Sequence, residues 1–256
     1  MKAKILSYLK QIEEEKAIKI LWACETGSRA WGFPSPDSDY DVRLVYVHKK
    51  DWYLSVHDQK DFIERMFENK ELDITGWELK KSLRLLKKSN ASFLERIQSP
   101  IVYAMDEGFR TDILPVAQAC YSRITTIHHY LSMTKKILVE ISAGEAFKLK
   151  KFFYALRCGA VCKWIIEKEE IPPIEFRRVY TPLNVDLKRQ DRIEELIALK
   201  ATKPESYLHT GEQDLLDFIN ECIELAEEKK HTLPAGNGRM DALNEILRKY
   251  VTQYDH

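Results

Sequence analysis

Two periods of hydrophobic residues organise the first part of the chain. Apolar positions from Ile5 to Ile12 recur at helical intervals and predict an opening helix. The apolar and β-branched run Ala17–Cys24 predicts a strand, and the alternation across Tyr40–His48 predicts a second strand. The segment between them, Glu25–Ser38, is rich in Gly, Ser, Pro and Asp and therefore predicts a loop.

A hairpin and a change to helical spacing follow. Phe62–Phe67 and Glu71–Thr75 can pair as antiparallel strands across a three-residue turn, and from Trp77 onward the leucines recur at helical intervals. Asn90 is placed to cap a short helix. Helical patterns dominate the rest of the chain and cover Ile113–Leu138, Glu145–Glu169, Asp191–Leu199, Gly211–Lys229 and Arg239–Val251.

This order of elements predicts a mixed α/β fold of the α+β type. A small mixed β-sheet with flanking helices forms a head over residues 1–105, and a mostly helical body follows over residues 106–256. No repeat and no Gly/Ser/Pro-rich linker separates the two predicted domains.

Composition excludes several classes of protein. The 256 residues carry 40 Lys and Arg against 40 Asp and Glu, and 45% are hydrophobic, which is typical of a globular protein and not of a disordered one. No apolar stretch is long enough to span a membrane, and the opening residues lack the apolar segment of a signal peptide. We therefore expect a cytoplasmic protein with no membrane partner, whose five cysteines are reduced thiols.

A short stretch after the first strand combines a glycine–serine turn with two acids. At Gly27-Ser28, backbone N–H groups and a hydroxyl at a strand end can cradle a phosphate. Asp39 and Asp41 begin the next strand, so their side chains share one face with Cβ atoms about 7 Å apart. Such carboxylates repel unless a divalent cation such as Mg²⁺ lies between them. Each feature alone also occurs in ordinary turns, but their combination predicts a nucleoside-triphosphate site.

The same stretch resembles the DNA polymerase β-like nucleotidyltransferase superfamily. Its signature is a Gly-Gly or Gly-Ser pair followed by an acidic–apolar–acidic triplet, here Asp39-Tyr40-Asp41. The longer string from Gly27 to Arg43 is similar to bacterial and phage nucleotidyltransferases grouped as the RNA-repair-pathway polymerase β family. Thr26 departs from the superfamily, which usually has an apolar residue there. Further similar segments, which extend the resemblance over about two-thirds of the chain, are 77–81, 99–103 and 150–157.

The resemblance implies a third carboxylate on a neighbouring strand. Asp73 is the best candidate, because Leu72 and Ile74 flank it on a strand pattern and point to the opposite face. The alternative is an exposed strand acid with no role in a site. The rival acids are Asp61, Glu64 and Glu71.

The reaction implied by the resemblance is metal-dependent transfer of a nucleoside monophosphate from a nucleoside triphosphate, with ATP expected, to a hydroxyl group. Asp39, Asp41 and Asp73 would be catalytic and would hold two Mg²⁺ or Mn²⁺ ions. Gly27 and Ser28 would hold the phosphates.

Four cations are candidates for further contacts with the nucleotide: Arg29, Arg43, Lys150 and Arg157. Arg43 follows Asp41 on the same strand face, where it either clamps a phosphate or pairs with Asp41 or Asp73. Lys150 and Arg157 share one face of a helix that is apolar nearly all round and is therefore predicted to be buried. A triphosphate and structural salt bridges explain these two cations equally well.

The acceptor stays open at the level of sequence. The resemblance favours an RNA 3′ end, a protein side chain or a small molecule is the main alternative, and an inactive nucleotide-binding or antitoxin-like module is a third hypothesis. Trp31 and Trp77 can stack on a base or pack inside the fold, and the oligomeric state is unknown. A basic helix face, either solvated or in contact with a polynucleotide backbone, comprises Lys80, Lys81, Arg84, Lys87 and Lys88.

Overall fold

The computed structural model has strands and helices in its first part and mostly helices afterwards, and it describes residues 1–142 and 145–255. The strands are β1 (Ile18–Glu25), β2 (Tyr40–His48), β3 (Phe62–Phe67), β4 (Leu72–Glu78), β5 (Val102–Met105), β6 (Ala146–Lys148) and β7 (Leu208–Thr210). The helices are α1 (Lys2–Lys16), α2 (Gly27–Trp31), α3 (Lys50–Tyr53), α4 (Leu79–Lys87), α5 (Ala91–Arg96), α6 (Glu107–Cys120), α7 (Arg123–Ser142), α8 (Leu149–Glu167), α9 (Phe176–Tyr180), α10 (Leu187–Lys200), α11 (Gln213–Lys229) and α12 (Met240–Gln253). The α/β class predicted from the sequence is confirmed.

Within the described residues, five strands form one mixed sheet in the order β3-β4-β2-β1-β5. β2 and β4 run parallel, and the other neighbours in this sheet are antiparallel. A parallel pair needs a crossover connection, which α3 and β3 supply between β2 and β4. The parallel pairing brings the amino ends of β2 and β4 to the same edge of the sheet, with Asp41 beside Asp73.

The sheet and α1 share one hydrophobic core. Ile5, Leu9 and Ile12 of α1 are buried and pack with residues such as Val42 and Leu44 of β2. The helical spacing of these three apolar residues and the alternation in β2 therefore predict the elements that the structure contains. The predicted hairpin is also confirmed, because β3 pairs antiparallel with β4 across a 3₁₀ turn at Glu68–Lys70.

The described residues group into two compact units. The first contains residues 1–27, 39–121 and the chain from 237 onward, and includes the five-stranded sheet. The second contains residues 28–38 and the described part of 122–236, and is mostly helical. The predicted domain boundary at residue 105 stays a prediction, since a grouping of contacts does not test which part folds alone.

Helix α8 is the central element of the second unit. It packs against α7, α9 and α11, and 13 of its 19 residues are buried. Such burial on all sides fits its nearly continuous apolar sequence. The tip of the loop 28–38 also belongs to this unit, where Phe33 stacks on Phe153 of α8 and meets Phe176 of α9 edge to face.

Several predicted boundaries are wrong for identifiable reasons. The predicted helix 113–138 is split into α6 and α7, because the Ser122 hydroxyl accepts the backbone N–H of Thr125 and starts a new helix. The predicted helix 145–169 begins instead with β6, which pairs with the distant β7. The predicted start of α4 at Trp77 is two residues early, because Trp77 and Glu78 stay in register with β2. The predicted loop 25–38 contains the short α2.

Local signals place other elements correctly. The Asn90 side chain accepts the backbone N–H of Phe93 and caps α5, as predicted. The buried Glu78 carboxylate accepts the N–H groups of Lys80 and Lys81 and caps α4. All five cysteines are buried free thiols. Among the described residues, every helix is too short or too polar to cross a bilayer.

A buried lysine holds the tip of the loop 28–38 within the second unit. Lys200, at the end of α10, is only 1% exposed and donates to Ser35 Oγ at 2.8 Å. Burial lowers the pKa of its ammonium group to about 8. Glu205, Lys150 and Asp37 also act on this group electrostatically.

We expect Lys200→Met to raise the free energy of unfolding at pH 7 by roughly 1–3 kcal/mol, because it removes a buried charge. The folded chain binds fewer protons than the unfolded chain between the lowered pKa of about 8 and the ordinary 10.5, so the wild type gains stability as pH rises through that window. The difference in the free energy of unfolding between Lys200→Met and the wild type, measured in urea, should therefore shrink from pH 8 to pH 10. Lys188→Met, at an exposed position of the same helix, should change little, and a pH-independent loss in Lys200→Met contradicts the prediction.

Candidate functional site

Two of the predicted carboxylates meet at the parallel strand pair. Asp41 of β2 and Asp73 of β4 are register partners, and one guanidinium joins them. Arg43 Nη2 lies 2.7 Å from Asp41 Oδ1 and 2.9 Å from Asp73 Oδ2. Its Nη1 also donates to the backbone carbonyl of Asp73 at 3.2 Å. The three side chains are 18–32% exposed, so they form a charged cluster that solvent still reaches.

One oxygen of this cluster has no hydrogen-bond partner among the described residues. Asp73 Oδ1 is buried there without a donor, although the other oxygen of the same carboxylate binds Arg43. A buried oxygen without a donor costs free energy, so this atom requires an explanation. Among the rivals of Asp73, Asp61 pairs with Lys81 and Glu64 is exposed on β3.

The glycine of the motif makes room for Asp41. Gly27 has a φ of +63°, and a Cβ at this position would lie 2.2 Å from Asp41 Oδ2. Only glycine adopts this backbone without strain and leaves this space for the carboxylate. The preceding residue, Thr26, donates its backbone N–H to the carbonyl of Asp41 at 2.9 Å. The glycine therefore shapes the turn and the carboxylate environment together.

A buried acid outside the residues predicted from the sequence supports this arrangement. Glu25, the last residue of β1, is fully buried and accepts the backbone N–H of Asp41 at 2.7 Å and the hydroxyl of Tyr103. Its backbone carbonyl accepts the Ser99 hydroxyl at 2.6 Å. A strand-end acid one residue before the Thr-Gly pair was the available signal, but its burial depends on β5 and the 99–101 segment.

The first predicted acid has a different environment. Asp39 is exposed and lies one residue before β2, whereas Asp41 lies within the strand. Over residues 1–142 and 145–255, no three His, Cys, Asp or Glu side chains are arranged as a group that could hold a metal ion. The catalytic and metal-binding roles of Asp39, Asp41 and Asp73 therefore stay predictions, with Asp41 and Asp73 brought together.

The serine of the motif belongs to a hydroxyl network in the second unit. Ser28 Oγ donates to Ser38 Oγ at 3.1 Å, and the backbone N–H of Ser35 donates to the same oxygen at 3.0 Å. Arg29 donates to the backbone carbonyl of Ser38 at 2.6 Å. These bonds hold the first residues of the segment 28–38, Ser28 and Arg29, against its last residue, Ser38.

The two predicted cations of α8 have different partners. Lys150 binds Glu205, and both side chains are partly exposed. Arg157 is buried, donates to the backbone carbonyl of Ile174, and places its guanidinium 4.6 Å from the Trp31 ring centre. Trp31 also packs against Tyr154. Nucleotide binding by Lys150 and Arg157 stays a prediction, and Arg157 has the contacts of a structural arginine.

Trp77 has a packing partner as well. The Arg96 guanidinium lies 3.3 Å from the centre of the Trp77 ring, and Arg96 is buried. Arg43 and Arg96 both act electrostatically near Asp73. Arg43 shows the second of its two predicted arrangements, ion pairs with both acids, and its role toward phosphate stays a prediction.

The glycine–serine pair at the end of β1 is thus followed by Asp41, which lies in register with Asp73 on a mixed sheet. The chain belongs to the RNA repair pathway DNA polymerase beta family, whose sequence profile matches residues 1–249. The resemblance drawn from the motif is confirmed, and it extends over nearly the whole chain.

Relatives span different shares of the chain. The protein YcgL of Bacillus subtilis (strain 168), described as uncharacterized, is 38% identical over 99% of this chain and 97% of its own length. The uncharacterized protein MJ0002 of Methanocaldococcus jannaschii is 26% identical over 54% of this chain and 57% of its own. The crystal structure of a nucleotidyltransferase-like protein from Exiguobacterium sibiricum 255-15 has 11% identity and a TM-score of 0.35, covering 98% of this chain and 81% of that one.

We expect Gly27→Ala to lower the free energy of unfolding by roughly 2–4 kcal/mol, because the new Cβ would meet Asp41 Oδ2 and the backbone has a positive φ. Gly32→Ala is the matched control, since Gly32 also has a positive φ, of +91°, but no atom of the described residues that could clash lies within 4 Å of a Cβ placed there. Gly32→Ala should cost only about 1 kcal/mol of backbone strain in urea unfolding. Equal decreases in the free energy of unfolding of the two variants would show that the clash with Asp41 adds nothing to the effect of Gly27→Ala.

Proposed function

We propose that this protein transfers a nucleoside monophosphate from a nucleoside triphosphate, with ATP expected, to the 3′ hydroxyl of an RNA. The observation that supports it most is the pair Asp41 and Asp73, held in register on parallel strands beside the Gly27 turn. The family to which the chain belongs supports the reaction class. The identity of the nucleotide and of the acceptor belongs to the proposal.

Two of the predicted ligands offer oxygens to a divalent cation, although no three ligand side chains of the described residues already form a group that could hold one. In that part of the chain Asp73 Oδ1 is a buried oxygen without a donor, and Asp41 Oδ2 faces the space that Gly27 leaves free. Carboxylate oxygens are the ligands that Mg²⁺ and Mn²⁺ prefer. Asp41 and Asp73, with Asp39 as the third predicted ligand, would hold the metal. When bound, the metal would offset negative charge on the phosphates and favour ionisation of the attacking hydroxyl.

The surrounding residues of the first unit orient these acids. Arg43 binds one oxygen of each carboxylate, Asp41 Oδ1 and Asp73 Oδ2, and so holds the two side chains beside each other. Glu25 accepts the N–H of Asp41 and so fixes the start of β2 relative to β1. Asp73 is the base that we propose for the acceptor hydroxyl, because its buried Oδ1 has no donor in the part of the chain that the structure describes. These contacts hold the acids in place before substrate arrives, which lowers the reorganisation that the reaction requires.

The exposed face of α4 supports a polynucleotide as acceptor. Lys80, Arg84, Lys87 and Lys88 are exposed, whereas Lys81 is bound to Asp61. α4 follows directly on β4, the strand that carries Asp73. A polar cavity of about 380 Å³ beside this face is lined in part by Lys80, Arg84 and Trp52. Cations and a partly exposed indole are the groups that bind phosphates and bases.

We expect Asp73→Asn and Asp41→Asn each to lower transfer of labelled AMP by at least about a hundredfold, since each removes a charge that the reaction needs. Purified protein is incubated with α-labelled ATP or CTP, Mg²⁺ or Mn²⁺, and total RNA. Glu64→Gln, an exposed acid on the adjacent β3, should keep activity within about twofold, and urea unfolding verifies that each variant folds. Retention of activity in folded Asp73→Asn would contradict the proposed role of this carboxylate.

The same incubation identifies the acceptor. Labelled RNA supports the proposal, labelled protein indicates transfer to a side chain, and nucleotide binding without release of pyrophosphate indicates an inactive binding module.

We further expect the double charge reversal Lys80→Glu and Arg84→Glu to lower RNA labelling roughly tenfold at low salt. The difference in labelling between this variant and the wild type should narrow as salt is raised. Lys2→Glu with Lys10→Glu, exposed on α1, is the control of equal charge and should label RNA as the wild type does.

A further inference from the structure

Glu205 binds two groups that are suited to a phosphate. One carboxylate oxygen of Glu205 accepts the Lys150 ammonium, and the other accepts the Ser38 hydroxyl at 2.9 Å. Ser38 Oγ in turn accepts the Ser28 hydroxyl of the glycine–serine turn. All these residues belong to the second unit. Through Ser38, an acidic side chain is thus connected to the serine predicted to hold a phosphate.

The position of Glu205 is fixed by its backbone as well as its side chain. The backbone N–H of Glu205 donates to both carboxylate oxygens of Asp37, at 2.9 and 3.2 Å, and Tyr207 closes the turn with a bond to the Pro204 carbonyl. The carboxylate therefore remains near Lys150 and Ser38 without depending on the ion pair alone. A neutral glutamine can keep the backbone bonds and a bond to Ser38.

The Glu205–Lys150 pair is accessible to a solute. It borders a cavity of about 700 Å³ within the second unit, a volume in the range of small-molecule sites. Glu205 and Lys150 side chains are 22% and 31% exposed. The same cavity contains a second pair, Lys151 with Glu140.

We propose that Glu205 is an internal anion that occupies a phosphate subsite formed by Lys150 and Ser38, and that the incoming triphosphate displaces it. The inference rests on the proposed function, because it assigns these groups to the nucleotide. A carboxylate presents two oxygens to an ammonium and a hydroxyl, as two phosphate oxygens would. A triphosphate carries several negative charges and can compete for Lys150, whereas a singly charged anion gains much less.

This arrangement has two consequences for binding. Before nucleotide binds, Glu205 keeps the Lys150 side chain paired and ordered, so less conformational freedom is lost when a phosphate replaces the carboxylate. Competition with Glu205 also lowers the binding affinity of every anion by the same factor. Only ligands with several negative charges therefore stay bound at a given concentration. Glu205 is thus a specificity-determining residue and not a catalytic residue.

The test measures the affinity of inorganic tripolyphosphate by titration calorimetry in a buffer with EDTA, so that the readout does not depend on a divalent ion. Glu205→Gln should bind tripolyphosphate about fivefold more tightly than the wild type, the effect of removing one partly exposed competing charge. Glu140→Gln, which frees Lys151 in the same cavity, is the matched control and should stay within about twofold. Urea unfolding of each variant verifies the fold.

Unchanged or weaker binding by folded Glu205→Gln, with measurable binding by the wild type, overturns the inference and leaves the proposed function intact. An equal gain in Glu140→Gln also overturns it, because the effect would then be a general increase in positive charge. Lys150→Ala in the Glu205→Gln background should abolish the fivefold gain, and persistence of the gain excludes Lys150 as the group released. Failure of the wild type and Glu205→Gln to bind tripolyphosphate in EDTA overturns this inference, and failure of both to bind a non-hydrolysable ATP analogue with Mg²⁺ present overturns the proposed function as well.

Discussion

The parallel pairing of β2 with β4 is the constraint on which the candidate site depends. Parallel register aligns Asp41 with Asp73 at the same edge of the sheet, although the two residues are separated by an intervening helix and strand. A shift of one residue would turn one carboxylate to the opposite face. The register is fixed by buried residues such as Val42 and Ile74, which pack in the core that the sheet shares with α1. Hydrophobic packing thus sets the distance between the two charges.

Two neighbouring carboxylates need compensation in the free protein. Arg43 supplies it by binding both acids from the same strand face as Asp41. The compensation is incomplete, because Asp73 Oδ1 has no donor within residues 1–142 and 145–255. A complete network would stabilise the fold further, but it would also leave no oxygen for a ligand. The buried Asp73 Oδ1 and the glycine at position 27 are therefore the two features on which the proposed cation site depends.

Much of this could be predicted from sequence because its determinants are local. The periodicity of Ile5 to Ile12, the alternation in β2 and the cap at Asn90 each act within a few residues. Asp73 lies beside Asp41 in the sheet, and its apolar neighbours in the sequence indicate which face of the strand it occupies. By contrast, β6 exists through pairing with the distant β7, and local spacing alone could not predict it.

The same limit explains which site residues escaped prediction. Glu25 and Glu205 take their roles from partners brought together by the fold, and neither stands in a recognisable motif of its own. The signature from Gly27 to Asp41 is continuous in sequence, yet its acids belong to the sheet unit and residues 28–38 belong to the helical unit. Each unit thus stabilises its own part of the signature through separate packing. The motif specifies which chemical groups are present. The fold determines which charged side chains, such as Glu25 and Glu205, are hydrogen-bonded to residues of the motif.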